Sequence, residues 1–97
     1  MNIEITSRHH DYPDRITDYA EEKVKKLTKY HDRIVDIHMV LDKRSEGEEA
    51  EIDIHIPGKN FAVKELADDI TKSIDLATNK IGRQLRDYVE KRNEKHG

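Results

Sequence analysis

Lysine and tyrosine alternate at helical spacing along one stretch of the chain: Tyr19, Lys23, Lys26 and Tyr30 lie four, three and four residues apart. On a helix these four form a single stripe, with Lys25 and Lys29 further round. Toward the C-terminus, Lys80, Arg83 and Lys91 fall on a similar flank of a second helical stretch, with Arg86 farther around. A cationic ridge interleaved with tyrosines suits a phosphate backbone. Lysines supply point charges there, while arginines bond phosphate through two N–H groups or stack on bases. The same faces also read as solvated helix surface, because Glu21–Lys25 and Glu22–Lys26 have the favourable orientation for intrahelical ion pairs. Tyr19, Tyr30 and Tyr88 fit either base stacking or the rim of a core with their hydroxyls in water.

Other chemistry is poorly supplied. There is no cysteine, which excludes disulfides and thiolate metal sites. Of six histidines, His38 and His55 fall near Asp36 and Asp53, short of three or four converging ligands with an ordered surround. They read as scattered surface histidines, and His9-His10 as a solvated loop, so no metal is expected. Catalysis needs a nucleophile beside a base, or paired carboxylates in a pocket. The carboxylates here belong to a flat sheet or to ion-pairing positions, and the four glycines Gly47, Gly58, Gly82 and Gly97 build no phosphate-cradling loop. The expectation is a binding protein with no enzymatic activity, no cofactor and no small-molecule substrate.

The elements that must position the stripes follow from periodicity. Ile3 and Ile5 alternate with Glu4 and Thr6, a half-buried strand over 2–7. Pro13 opens a helix reaching about Tyr30, with Ile16, Ala20, Val24 and Leu27 on its buried face. Over 35–41 the period becomes two, with Val35, Ile37, Met39 and Leu41 facing one way and Asp36, His38, Val40 and Asp42 the other. Residues 43–48 have the composition of a hairpin loop. Ala50, Ile52, Ile54 and Ile56 alternate next, Pro57-Gly58 turns the chain, and 60–66 forms a short strand. A long amphipathic helix from Ala67 to about Lys95 buries Ile70, Ile74, Ala77, Ile81, Leu85 and Tyr88. Gly82 sits inside it at a cost of about 1 kcal/mol relative to alanine, which fits close approach of the other helix and equally a position under no selection for stability.

This predicts an α+β fold of order β-α-β-β-β-α, with a four-stranded mixed sheet and both helices on one face. The other face, with Glu4, Asp36, Asp42, Glu51 and Asp53, should be open, acidic and a poor surface for phosphates. The 97 residues make one domain, 1–97. Charged residues are 40% of the chain, yet the net charge is only −3, so charge distribution and not total charge must decide the partner. The N-terminus lacks a basic segment followed by an apolar run, and no stretch approaches the roughly 20 apolar residues of a membrane span. A cytoplasmic protein without membrane contact is expected.

Three further segments carry a resemblance. Lys23-Val24-Lys25-Lys26-Leu27-Thr28-Lys29-Tyr30 with Asp32-Arg33-Ile34 is one. Ala50-Glu51-Ile52-Asp53-Ile54-His55-Ile56-Pro57-Gly58 is another. The third is Asp69, Ile74-Asp75, Lys80, Arg83-Gln84-Leu85-Arg86 and Tyr88. In this order and spacing, over nearly the whole chain, they resemble the short ribosome hibernation promoting factor / ribosome-associated inhibitor A family. The resemblance implies binding to the small ribosomal subunit between head and body, overlapping messenger RNA and the A- and P-site transfer RNAs. It further implies inhibition of translation under stress or in stationary phase. Carried over by position, the RNA contacts implied are Lys23, Lys26, Lys80, Arg83 and Arg86; the stripe adds Lys91. Off the ribosome the expected state is a monomer. The chain departs from the family at Asp87 and Val89, where lysines are common, at Lys59 in place of a turn glycine, at Thr71 and Ser73, and at His31. A general double-stranded RNA-binding module and a protein-interaction module are the rival readings.

Overall fold

The computed structural model describes residues 1–96, with side chains through Arg92. The strands are β1 (Asn2–Arg8), β2 (Asp36–Arg44), β3 (Gly47–Ile56) and β4 (Lys59–Ala67). The helices are α1 (Asp14–Lys25), extended by a 3₁₀ turn (Lys26–Tyr30), and α2 (Ile70–His96). The sheet order is β1-β2-β3-β4, with β1 parallel to β2 and the other pairs antiparallel. The α+β order and mixed four-stranded sheet expected from periodicity are therefore the ones the chain adopts.

Alternation explains the single core. Ile37, Met39 and Leu41 of β2 lie opposite Ile54, Ile52 and Ala50 of β3, and Val63 and Phe61 of β4 continue two of these rows. Ile16, Ala20 and Val24 of α1 join the same buried cluster as Ile74, Ala77, Ile81 and Leu85 of α2, so both helices cover one sheet face. Burial of this aliphatic surface is worth about 25 cal/mol per Å² and is the main favourable term holding the layers together.

Several boundaries differ from the sequence reading, each for a local reason. Helix 13–30 is not continuous: its last turn tightens to 3₁₀, and the Thr28 hydroxyl donates to the Lys25 carbonyl at 2.8 Å. Val35 lies outside β2 and is 46% exposed, because Ile34 takes the buried place before the strand. The β2–β3 loop shrinks to Ser45-Glu46, since the ladder runs on to Arg44 and Gly47. Only glycine fits at 47: a Cβ there would lie 2.6 Å from the Ala67 carbonyl oxygen, on a backbone with φ of +151°. β4 continues to Ala67, and α2 begins at Ile70 behind Asp69. The Asp69 carboxylate accepts from the Thr71 hydroxyl and N–H, both at 2.8 Å, and from the Lys72 N–H at 3.2 Å. Those bonds, the Thr71 hydroxyl first, hold its carboxyl below the usual aspartate range.

Glu48 of β3 fastens both α2 and the connection between β1 and α1 to the sheet. Its backbone carbonyl accepts from the buried Ser73 hydroxyl of α2 at 2.6 Å, and its carboxylate accepts from the Tyr12 hydroxyl at 2.6 Å. Burial and this carboxylate push the Tyr12 hydroxyl pKa well above the ordinary tyrosine value. The sheet face away from the helices is not wholly solvated, as alternation alone implied. Val40 and Asp42 on it are buried, and Asp42 pairs with His9 Nδ1 at 2.7 Å. Among the described residues no helix is long and apolar enough to cross a membrane.

Candidate nucleic-acid interface

The groove between the two helices is built by close approach. A Cβ on Gly82 of α2 would come within 3.3 Å of the Tyr30 ring and 3.4 Å of the Leu27 side chain. The glycine lets the 3₁₀ turn settle against α2 and brings their polar flanks together. The resulting cleft holds about 470 Å³ and is lined by Lys23, Lys26, Leu27, Lys29 and Tyr30 from one wall. Thr78, Asn79, Gly82, Arg83 and Arg86 form the other. Five of these ten residues are cationic and none is a carboxylate.

The cations differ in how free they are. Lys23 Nζ lies 3.3 Å from Asp75 Oδ1, the same oxygen that accepts from the Tyr19 hydroxyl at 2.5 Å. This bond, with burial and the Asp75 charge behind it, pushes the Tyr19 hydroxyl up to about 12. Arg86 Nε is 3.9 Å from Asp87 Oδ1, a distance with little binding value on an exposed surface. Among the described residues, no carboxylate oxygen approaches Lys26, Lys29 or Arg83 within 4.0 Å. Their charges are offered to solvent or to a ligand. Glu21–Lys25 forms its intrahelical pair at 3.2 Å, outside the cleft.

The stripes inferred from spacing merge only in part. Lys23, Lys26, Arg83 and Arg86 line one cleft, joined by Lys29. Lys80 and Lys91 do not. Lys80 Nζ pairs with Glu65 of β4 at 3.6 Å. Lys91 lines a second cleft of about 480 Å³ with Lys59, Asn60, Phe61, Ala62, Gln84, Asp87 and Tyr88. Lys80 and Lys91 are three helical turns apart on the flank of α2 that looks toward β4, whereas Arg86 is on the flank that looks toward α1. Asp87, expected to interrupt the basic flank, shares the β4 side with Lys91. Sequence spacing placed Lys29 and Arg86 at the margin of the stripes, and both line the groove.

The tyrosines pack as core-edge residues: Tyr12, Tyr19, Tyr30 and Tyr88 are half-buried against the apolar cluster. Lys29 Nζ lies 5.1 Å from the Tyr30 ring centroid. The far sheet face gathers acid, as expected, with Glu49 added to the residues anticipated there, because Glu49 lies opposite Asp42 in the ladder. Strand cations offset part of this charge, and a histidine lies beside it. Arg44 reaches Glu49 at 3.7 Å, Lys64 reaches Glu51 at 3.9 Å, and His38 Nε2 reaches Glu4 at 3.3 Å. Among the described residues, no three His, Cys, Asp or Glu side chains gather as a metal site.

Comparison with known proteins accords with this architecture. The chain is 28% identical over 95 residues to the ribosome hibernation promoting factor of Azotobacter vinelandii, covering 98% of this chain and 89% of that protein. It is 32% identical over 91 residues to ribosome-associated factor Y of Haemophilus influenzae, covering 94% and 85%. The crystal structure of the Thermus thermophilus Protein Y N-terminal domain superposes with a TM-score of 0.82 at 30% identity, covering 91% of this chain and 99% of that one. The family model described as Sigma 54 modulation protein / S30EA ribosomal protein matches residues 3–93, and the chain belongs to that family.

Proposed function

We propose that this protein is a ribosome hibernation factor. It binds small-subunit ribosomal RNA in the decoding channel, excludes messenger and transfer RNA, and so inhibits translation in the cytoplasm under stress or in stationary phase. Residues 1–97 act as one ribosome-binding domain, monomeric off the ribosome, without catalysis or a small-molecule substrate. The observation that carries the reading is the convergence of Lys23, Lys26, Lys29, Arg83 and Arg86 on one cleft that no carboxylate lines, in a chain whose net charge is −3. Relatives named for ribosome hibernation and ribosome association support the choice of partner.

In this mechanism the groove takes the RNA backbone. Lys26, Lys29 and Arg83 neutralise phosphates and release counterions, and Arg86 adds a planar fork for phosphate or a base face. Lys23, partly neutralised by Asp75, helps set the position of the backbone. Lys80 and Lys91, on the β4 side of α2, add long-range attraction. Selectivity comes from the fit of a rigid wedge to folded RNA and not from base reading.

Sedimentation with purified ribosomes over a salt series tests this. The expected result is small-subunit binding that falls steeply with salt, and inhibition of translation in a purified system. Lys26→Glu with Arg83→Glu should weaken binding about 100-fold at low salt, since two phosphate contacts become repulsive. Equal affinity for isolated duplex RNA would favour a general RNA-binding module. Binding that survives the double reversal would favour a protein partner.

A further inference from the structure

Past Tyr30 on one wall and past Arg86 on the other, a smaller cleft of about 240 Å³ follows. It is lined by His31, Asp32, Arg33, Pro57, Val89 and Arg92. His31 is the next residue after Tyr30, and Val89 lies about one turn of α2 beyond Arg86. The cleft therefore continues the groove along both of its walls. Arg33 comes to it from the loop after the 3₁₀ turn, and Arg92 from α2. Arg92 is braced: its Nη1 donates to the Tyr88 hydroxyl at 3.4 Å, and its guanidinium lies 5.8 Å from the Tyr88 ring centroid. The Arg33 backbone N–H donates to His31 Nδ1 at 3.0 Å, which leaves the proton of the neutral ring on Nε2 as a donor. Asp32 is the one carboxylate in the lining, and among the described residues no ion pair ties it to either arginine.

We infer that this cleft is a phosphodiester subsite, receiving the RNA backbone as it leaves the inter-helix groove. The inference rests on the RNA reading of that groove and lengthens it. Two guanidinium groups against one carboxylate leave a single net positive charge. That balances one phosphodiester and disfavours a metal ion. The guanidinium fork matches two phosphate oxygens at once, and Pro57 and Val89 contribute apolar walls that limit competing water.

The test is the affinity of the full chain for purified small ribosomal subunits across a potassium chloride series from about 50 to 300 mM. Arg33→Ala should make the slope of log affinity against log salt shallower by about one unit, and adding Arg92→Ala should lower the affinity further with little more change in slope, since one phosphate is lost in either case. Arg33→Lys should restore the slope without all of the affinity, because it returns the charge but not the fork. An unchanged slope in folded Arg33→Ala protein, while Lys26→Ala with Arg83→Ala lowers it, overturns this subsite and leaves the groove intact. Absence of binding by the unaltered protein overturns both. If removing Arg92 unsettles Tyr88 and the fold, the Arg33→Ala result alone decides, since Arg33 does not touch that ring's bonds.

Discussion

Asp75 shows how one carboxylate can set both packing and local charge. It accepts the Tyr19 hydroxyl and pairs with Lys23 through a single oxygen, so it ties α1 to α2 and dims one cation of the groove. Asp75→Asn keeps an acceptor for Tyr19 and removes the charge. The expected outcome is severalfold tighter binding to small subunits at low salt, converging at high salt, with a stability change below about 1 kcal/mol by urea unfolding. The Tyr19 hydroxyl adds a pH dependence. Its pKa rises in the fold from 10.0 to about 12, so its contribution is complete below pH 10 and is lost as pH climbs through about 12. Thermal midpoints across this window should fall more steeply for the unaltered protein than for Tyr19→Phe. Equal slopes would mean the hydroxyl bond adds nothing. Of the site, the residue types and the two stripes were legible in the sequence. Which flank of α2 meets α1 was not, because a helical wheel gives angles within one helix and not the placement of its neighbour. Lys80 and Arg86 exchange roles for that reason.

The elements are joined by devices that act over one or two side chains. Arg92, Tyr88, Phe61 and Lys59 form a run of cation and ring contacts from the C-terminal half of α2 to the start of β4. The distances are 5.8 Å for Arg92 to Tyr88, 5.5 Å between the edge-on rings, and 5.7 Å for Lys59 to Phe61. Lys59, just after the Pro57-Gly58 turn, acquires a structural role here. Tyr88→Ala should cost about 2 kcal/mol, part of the value for a fully buried aromatic, measured as a lower urea midpoint with unchanged slope. A loss under 0.5 kcal/mol would show that the run holds little. Strand and helix identities were legible because apolar residues repeat at two and at three to four. The 3₁₀ turn was not, since five residues cannot distinguish a period of 3.0 from one of 3.6. The late start of α2 was hidden because Asp68-Asp69 can either extend a helix or cap one, and the ladder of β4 to Ala67 settles it.

At the scale of the molecule, charge is sorted onto two layers. The helix layer holds the cationic groove, and the open sheet face holds most of the strand carboxylates, so a total charge of −3 coexists with a locally cationic surface. The unbroken strand order β1-β2-β3-β4 has a different consequence, for the kinetics of self-assembly. Two hairpins of very short reach, closed at Ser45-Glu46 and Pro57-Gly58, need little loop entropy, whereas each β1 residue must wait for a partner 34 positions along the chain, as in Asn2 with Asp36. The meander should nucleate first and the N-terminal strand dock last. In urea chevrons, Ile52→Val should slow refolding, while Ile5→Val should chiefly hasten unfolding. The reverse pattern would place the rate-limiting event at the parallel edge, where a chain emerging from its own synthesis would already have begun.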